Sequence, residues 1–175
     1  MNNFTGPPGG MSAATQAPAP MLVSRHFTLP EFACHGGEPY PDVWIDERLT
    51  PLCSVLDQIR DAWGGPLTVV SGYRTAAFNG ALIQASQFRN GGLSGVAQNS
   101  QHVQGRAADI RPDNPTEMRN AQLWDLIKAL YADGHGRINM LGGLGIYTGW
   151  VHVDIRPRLN GHLAMWTGAG VGSEK

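Results

Sequence analysis

The chain has 175 residues and a mass of 18.8 kDa, which is enough for one domain with a substantial core. Its formal net charge is −1 and it has no basic run, so we expect neither nucleic acid nor an anionic membrane as a main partner. No apolar run approaches the roughly 20 residues that span a bilayer, so we expect no membrane insertion. Two cysteines, Cys34 and Cys53, are too few for a disulfide scaffold.

The two ends of the chain differ in composition from the middle. Residues 1–22 are rich in Gly, Pro, Ala and Thr and have little to bury, so they predict a flexible arm. The alternative is a docking peptide that orders only on a partner, such as a structural protein of a phage particle. The arm lacks the basic, apolar and small-residue zones of a secretion signal, so we expect the protein to be made in the cytoplasm without a signal peptide. Residues 168–175 predict a flexible tail, which leaves residues 23–167 as the folded domain.

Three segments in the first half of the domain predict ordered elements. Residues 26–32 predict a short helical turn that packs three apolar side chains against the domain: Phe27, Leu29 and Phe32. Thr50 and Pro51 form a good helix start, and apolar residues then recur at helical spacing up to Trp63. Residues 67–71 are rich in β-branched side chains and predict a strand.

Two further helices are predicted downstream. Residues 75–89 predict a helix with these side chains for burial: Phe78, Leu82, Ile83 and Phe88. Residues 90–99 predict a flexible loop that is well placed to select substrates. Residues 114–117 have the form of a capped helix start with Glu117 at the third helical position. The inner face of that helix is expected to consist of Met118, Leu123, Trp124, Ile127 and Leu130.

The order of the elements indicates the fold class. Residues 142–147 predict a turn and a strand, Thr148 and Gly149 a hairpin, and residues 163–166 a last edge strand. Helices and strands follow one another without the regular alternation of βαβ units. We therefore expect an α+β fold, with a small, mainly antiparallel sheet and helices packed on its outer side.

Two stretches carry residues with metal-binding chemistry. His102 and Asp109 flank Gly105, which can turn the chain between them, and residues 106–110 have the composition of a short buried strand. Two imidazoles and a carboxylate are usual protein ligands of a catalytic zinc, which keeps a fourth position for water. With His152 as the second imidazole, the three residues predict such a site. A buried His–Asp network without metal is the alternative that spacing alone leaves open.

The strand around His152 has two unlike faces. The period of two places Trp150, His152 and Asp154 on one face and Val151, Val153 and Ile155 on the other. A face with Trp, His and Asp opposite three β-branched residues is more typical of a cleft lining than of a core strand.

The same residues form a pattern that resembles a known family. Ser-x-His-x-x-Gly-x-Ala-x-Asp spans residues 100–109, and His-x-Asp follows at residues 152–154. Further matches are Val70-Ser71-Gly72-Tyr73-Arg74, Gly142-Gly143-Leu144-Gly145-Ile146-Tyr147 and Asp154-Ile155-Arg156. The pattern closely resembles the zinc D-Ala-D-Ala carboxypeptidases and their phage endolysin relatives, a group that also contains D-Ala-D-Ala dipeptidases and the hedgehog domain.

The resemblance implies a hedgehog or D-Ala-D-Ala peptidase-like fold with a zinc site whose ligands are His102, Asp109 and His152. It also places Arg74 in the cleft, where a guanidinium steadies the metal-bound water or the oxyanion; a surface ion pair is the alternative. The candidates for substrate contact are Ser100, Tyr73 and Trp150. For Ser100, holding the site loop by a turn-capping hydrogen bond is the alternative.

The sequence leaves the identity of the general base open, because this chain departs from the family pattern at one position. Dipeptidase relatives and several endolysins carry an acidic residue three positions before the last histidine, where this chain has Gly149. Asp154 is the first candidate for the catalytic base, and a role as an acceptor that orients an imidazole N–H is its alternative. His135 and His162 are further candidates.

The activity implied by the resemblance is zinc-dependent hydrolysis of peptide bonds in bacterial peptidoglycan. Removal of a terminal D-Ala and cleavage of the stem or cross-bridge both remain open. The protein would act on the cell wall as a phage lysin after release, or as a tail-associated wall hydrolase in a phage particle. The alternative is a catalytically inactive module that keeps zinc for binding, or a structural module of the virion.

Overall fold

The computed structural model describes residues 21–90 and 95–168. The predicted arm, residues 1–22, and the predicted tail, residues 168–175, therefore lie almost entirely outside the described residues. Two residues of the arm are described. The Met21 carbonyl accepts a hydrogen bond from the Leu29 amide at 2.9 Å, and Leu22 forms a β-bridge with Thr28.

A five-stranded sheet forms the centre of the described chain. Its strands are β1 (Leu67–Ser71), β2 (Ala107–Pro112), β3 (Gly143–Ile146), β4 (Val151–Asp154) and β5 (Ala164–Thr167). They lie in the order β1-β2-β4-β3-β5, and β3 pairs with β5 in parallel, whereas the other three pairings are antiparallel. This arrangement agrees with the expected mainly antiparallel sheet, including an edge strand near residues 163–166.

Three helices accompany the sheet: α1 (Thr50–Trp63), α2 (Ala76–Arg89) and α3 (Glu117–Asp133). Pro51 lies in the first turn of α1, but the predicted capping role of Thr50 is wrong, because Thr50 is the first residue of the helix and a π-helical turn, Ile45–Leu49, leads into it. A 3₁₀ turn, Leu29–Phe32, occupies part of the predicted turn at residues 26–32. No helix in the described ranges is long and apolar enough to cross a membrane.

The core lies between one face of the sheet and helices α1 and α3. The sheet contributes fully buried Ala108, Ile110, Leu144, Val151 and Val153, and the helices contribute Leu52, Val55, Leu56, Ile59, Leu123 and Ile127. Phe27 and Phe32 are also fully buried, which confirms their predicted packing. The central strands β2 and β4 are thereby fixed on one side by close packing, and their other side is free to carry a site.

The predicted burial of Phe88 is wrong, because its side chain is 93% exposed. The buried positions of α2 are Asn79 and Ser86, which lie two turns apart on one face. Asn79 Nδ2 donates to the carbonyl of Ala97 at 3.1 Å, and Ser86 Oγ accepts from the amide of Gly95 at 3.1 Å. The inner face of α2 therefore binds its own following loop, and Phe88, two residues beyond Ser86, points away.

Two predictions about α3 are also wrong. Met118 is 71% exposed, because the buried residues of the helix are Asn120, Leu123 and Ile127 and Met118 lies on the opposite side. The helix begins at Glu117, so this residue is not the third helical position. Thr116 is the cap, and its side chain accepts a hydrogen bond from the amide of Arg119 at 3.1 Å.

Candidate metal centre

A single row of residues crosses the open face of the sheet and organises the site. Ser71 pairs with Asp109, Asp109 with His152, His152 with Gly145, and Gly145 with Trp166, so the row runs through all five strands. Directly paired residues project from the same face of a sheet. The central pair, Asp109 and His152, therefore lies side by side on the face opposite the core.

His102 completes this centre from the loop that precedes β2. Gly105 turns the loop with a φ of +64°, a conformation that side chains other than glycine rarely adopt, and its amide donates to the His102 carbonyl at 3.1 Å. The turn brings the His102 ring against the His152 ring, with 4.9 Å between the ring centroids. The predicted role of Gly105 as the turn between the two candidate ligands is thus confirmed.

Three atoms with lone pairs converge at this point. Asp109 Oδ1 lies 3.2 Å from His102 Nε2 and 2.9 Å from His152 Nδ1, and the two ring nitrogens are 3.2 Å apart. All three residues are buried. Within the described ranges, they are the one group of three or more His, Cys, Asp or Glu residues that could hold a metal ion.

Each imidazole has an acceptor on its far side that fixes its tautomer. His102 Nδ1 lies 2.7 Å from the carbonyl oxygen of Gly72, and His152 Nε2 lies 3.0 Å from Asp154 Oδ2. Since a carbonyl and a carboxylate can only accept, the far nitrogens carry the hydrogen atoms. When both rings are neutral, as metal binding requires, the lone pairs of His102 Nε2 and His152 Nδ1 face Asp109; without a metal, a proton on one of these nitrogens bridges to Asp109 Oδ1.

The protonation tendencies of the three groups place an ionised carboxylate between the two imidazoles. Burial alone would raise the pKa of the Asp109 carboxyl, but charge interactions and hydrogen bonds with His102 and His152 hold this pKa well below its usual range. Burial lowers the pKa of His102 against the opposing effect of Asp109. Burial would also lower the pKa of His152, but hydrogen bonds to Asp109 and Asp154 outweigh this effect and raise the pKa.

The donor set fits a zinc ion. Nitrogen and oxygen ligands about 2.1 Å from a tetrahedral zinc lie roughly 3.4 Å from one another, close to the separations of these three atoms. Two neutral imidazoles and one carboxylate also leave a fourth tetrahedral position free. The three residues that the sequence proposes as ligands are thus brought together with suitable atoms facing inward.

Asp154 lies behind His152 and is fully buried. Arg156 donates to both of its carboxylate oxygens, through Nε at 2.9 Å and through a shorter contact from Nη2 to Oδ2. Burial would raise the pKa of Asp154, but hydrogen bonds from His152 and Arg156 lower it to about 2. Asp154 is thus an ionised acceptor on the side of His152 that faces away from Asp109.

Arg74 lies beside Asp109 on the other side of the centre. Its Nη2 donates to Asp109 Oδ2 at 2.8 Å and its Nε donates to Ser71 Oγ at 3.0 Å, while its side chain is 14% exposed. The guanidinium engages Oδ2 and leaves Oδ1 turned toward the imidazoles. The ion pair with Asp109 is therefore largely buried at the site, which contradicts the alternative of a surface ion pair.

The other predicted site residues lie in different surroundings. Ser100 is buried and its Oγ accepts from the His102 amide at 3.3 Å, which is a turn-capping contact. Tyr73 packs edge to face against Tyr40 and Trp44. His135 is exposed, and its carbonyl accepts from Gln58 of α1, on the core side of the sheet. Trp150 precedes β4 and stacks on Tyr147, with 5.1 Å between centroids.

Trp166 and Arg156 belong to the site region but were not singled out from the sequence as site residues. The Trp166 ring lies 5.2 Å from the His152 ring, and the Arg156 guanidinium lies 5.2 Å from the Trp166 ring. Gly145 makes this possible, because a Cβ there would lie 2.5 Å from the indole. The sequence places an aromatic residue in the predicted edge strand, but it does not show that this strand pairs with β3.

Comparison with known proteins gives one family match. Residues 25–154 match the sequence model of a family described as Peptidase M15. No curated protein and no solved structure matches the chain. The matched range contains all three candidate ligands and ends at Asp154, before β5 and Trp166.

Proposed function

The chain belongs to the Peptidase M15 family, and on that premise we propose that it is a zinc-dependent peptidase that hydrolyses peptide bonds of bacterial peptidoglycan. The mixed α/β architecture with its single described sheet is compatible with the family. We also propose that the fold is of the hedgehog or D-Ala-D-Ala peptidase type. Both removal of a terminal D-Ala and cleavage within the stem or cross-bridge are consistent with this site.

One observation carries the proposal: three lone-pair atoms of His102, Asp109 and His152 lie within 3.2 Å of one another in a buried place. When both rings are neutral such atoms repel one another, and burial strengthens this repulsion, so the place favours a metal cation or a proton between them. When bound, a zinc ion supplies Lewis acidity and an activated water for amide hydrolysis. The chain supplies two oriented imidazoles and one oriented carboxylate.

The sequence leaves two roles open for Asp154, catalytic base and orienting acceptor. We propose that it is the acceptor that orients His152. Its carboxylate contacts His152 Nε2, the nitrogen that faces away from Asp109, and both of its oxygens are engaged by Arg156. Its pKa of about 2 makes it a poor proton acceptor near neutral pH, because an efficient general base has a pKa near the working pH. Asp154 therefore fixes the tautomer of His152.

Arg74 and Ser100 are proposed to act at the same centre in different ways. Arg74 orients Asp109 through Oδ2, and the donors that it does not use for Asp109 and Ser71 are available to an oxyanion. Ser100 holds the loop that carries His102, since its Oγ accepts from the His102 amide. Tyr73 and Trp150 stay proposed substrate contacts.

The test is the release of new amino termini from purified peptidoglycan. Zinc-loaded protein is compared with EDTA-treated protein, with Asp109→Asn and with Asp125→Asn, an exposed control carboxylate that pairs with Lys128. We expect cleavage by the zinc-loaded protein and by the control, and none by the other two. Absence of cleavage across several wall chemotypes, from folded and zinc-loaded protein, would contradict the proposal.

A second candidate function, a zinc-containing binding module without catalysis, is favoured by Gly149. At this position the dipeptidase relatives and several endolysins carry an acidic residue, and a Cβ added here would meet no atom within 4 Å. The Gly149→Glu variant can therefore be made without a steric clash. An inactive wild type that gains hydrolysis through Gly149→Glu would establish this alternative, whereas an active wild type would eliminate it.

The setting in which the enzyme acts is also a proposal. We propose that it reaches the cell wall as a phage lysin or as part of a phage particle, and that residues 1–22 dock on a structural partner in the second case. Deletion of residues 1–20 would then prevent incorporation into particles while hydrolysis of isolated peptidoglycan continued. Equal incorporation of the shortened chain would argue against the docking role.

A further inference from the structure

A continuous group of aromatic side chains extends from the metal centre along the open face of the sheet. This aromatic shelf consists of Trp166, Tyr147 and Trp150, all of them partly exposed. It begins 5.2 Å from the His152 ring, at Trp166, and reaches the hairpin between β3 and β4. The proposed catalytic steps make no use of Trp166 or Tyr147.

The shelf is held in place by its own contacts. Trp166 Nε1 donates to the Tyr147 hydroxyl at 2.9 Å, and the Tyr147 ring stacks on Trp150 with 18° between the planes. The Tyr147 amide donates to the Trp150 carbonyl at 2.9 Å, and Asn120 Nδ2 donates to the Thr148 carbonyl at 2.9 Å, which anchors the hairpin to α3. A ligand can therefore bind without first ordering these rings, which lowers the entropy cost of binding.

The chemistry of the shelf favours an uncharged ligand. The indole N–H of Trp166 is engaged by Tyr147, and the cation beside Trp166, Arg156, is paired with fully buried Asp154. Aromatic faces carry partial negative charge and attract C–H groups with partial positive charge. Carboxylates of a stem peptide find no free cation among these groups. The C–H face of a pyranose ring matches the Trp150 ring best, because Tyr147 is stacked on Trp150 and lies against the Gly168 backbone, and Arg156 lies over Trp166.

We propose that the aromatic shelf is a sugar subsite that binds an uncharged N-acetylamino sugar of the glycan strand. The inference rests on the proposed function, because peptidoglycan joins such sugars to the peptide that is cut. The enzyme thus recognises its substrate through the glycan as well as through the peptide. It cleaves a stem that is still attached to sugar faster than the same stem alone.

Binding is measured first, without hydrolysis, by NMR of the indole N–H signals of the zinc-loaded full chain. The probe is diacetylchitobiose, an uncharged pair of N-acetylamino sugars. We expect the disaccharide to shift the Trp150 and Trp166 signals. Its affinity should be roughly five- to tenfold lower for Trp150→Leu and should recover in Trp150→Tyr. Trp63→Leu, a substitution at the end of α1, is the control and retains binding. Unchanged indole signals, or equal binding by Trp150→Leu, would overturn the subsite.

Hydrolysis is then compared between a disaccharide-linked stem and the free stem peptide. We expect kcat/KM to be roughly five- to tenfold higher for the disaccharide-linked stem, and Trp150→Leu to reduce this ratio toward one. Equal rates with no binding of diacetylchitobiose would overturn the subsite and leave the peptidase proposal intact. Binding at the shelf by a protein that hydrolyses neither substrate would uphold the subsite and contradict the peptidase proposal.

Discussion

The two faces of strands β2 and β4 are both buried, but they are held together by different forces. Val151 and Val153 pack into the core, while His152 and Asp154, which alternate with them, are tied by hydrogen bonds and charge on the other face. Dispersion and burial act without regard to direction, whereas the polar face depends on the position of each donor and acceptor. Changes on the first face should therefore alter stability, and changes on the second should alter metal binding.

The largest effect is expected from Asp109→Asn on the polar face. The substitution keeps the shape of the side chain but removes the charge between His102 and His152. Structural zinc sites bind with about 10–16 kcal/mol over four ligands, so one ligand is worth roughly 3–4 kcal/mol, or on the order of a hundred- to a thousandfold in affinity. Zinc titration by calorimetry checks this, with Asp125→Asn as control. An unchanged affinity for Asp109→Asn would remove this residue from the site.

On the core face, Leu144→Ala should show the opposite behaviour. Leu144 is fully buried, so its truncation should lower the free energy of unfolding by about 2–5 kcal/mol, while the folded variant binds zinc as before. Met165, which pairs with Leu144 in the sheet but is 55% exposed, provides the control. Urea unfolding of Leu144→Ala and Met165→Ala measures the difference. A large loss of zinc affinity in Leu144→Ala would show that the two faces are not separable.

Asp154→Asn tests whether the polar face acts through orientation. Loss of an acceptor that orients a ligating histidine typically weakens metal binding by about 10- to 100-fold, and we expect a loss in this range. Zinc affinity and the rate of hydrolysis at saturating zinc are measured together. A variant with normal zinc affinity that has lost hydrolysis would instead make Asp154 the catalytic base.

The smallest effect is a dependence of stability on pH in the metal-free protein. The pKa of Asp154 is lowered to about 2 from an unfolded value near 3.9, a shift worth roughly 2–3 kcal/mol. This contribution is complete well above pH 4 and is lost as the pH falls through roughly 4 toward 2. Urea unfolding of the wild type and of Asp154→Asn should show their stability difference shrinking by about this amount upon acidification. A difference independent of pH would contradict the lowered pKa.

The two faces also differ in how far the sequence predicts them. The alternation of Val151, His152, Val153 and Asp154 predicts which side chains share a face, because a strand has a strict period of two. The spacing of His102, Gly105 and Asp109 predicts a turn before a strand for the same local reason. These local rules, together with the family resemblance, identified the three candidate ligands.

Features that depend on contacts between distant segments were not predictable. The register that sets Gly145 between His152 and Trp166 joins three strands, and no local pattern specifies it. The exposed positions of Phe88 and Met118 are not predictable because α2 and α3 carry apolar residues on several sides, so their pattern does not single out one face for the core. The role of Asp154 was undecided for the same reason, since its partner Arg156 and its complete burial emerge only in the fold.

The central claim is that one metal ion is held by His102 Nε2, Asp109 Oδ1 and His152 Nδ1. X-ray absorption at the zinc edge, with metal analysis of the same sample, tests it most directly. The claim predicts one zinc per chain, nitrogen and oxygen neighbours only, and scattering from two imidazoles that falls to one in His152→Ala. Sulfur neighbours, or a two-imidazole signal that persists in His152→Ala, would contradict it.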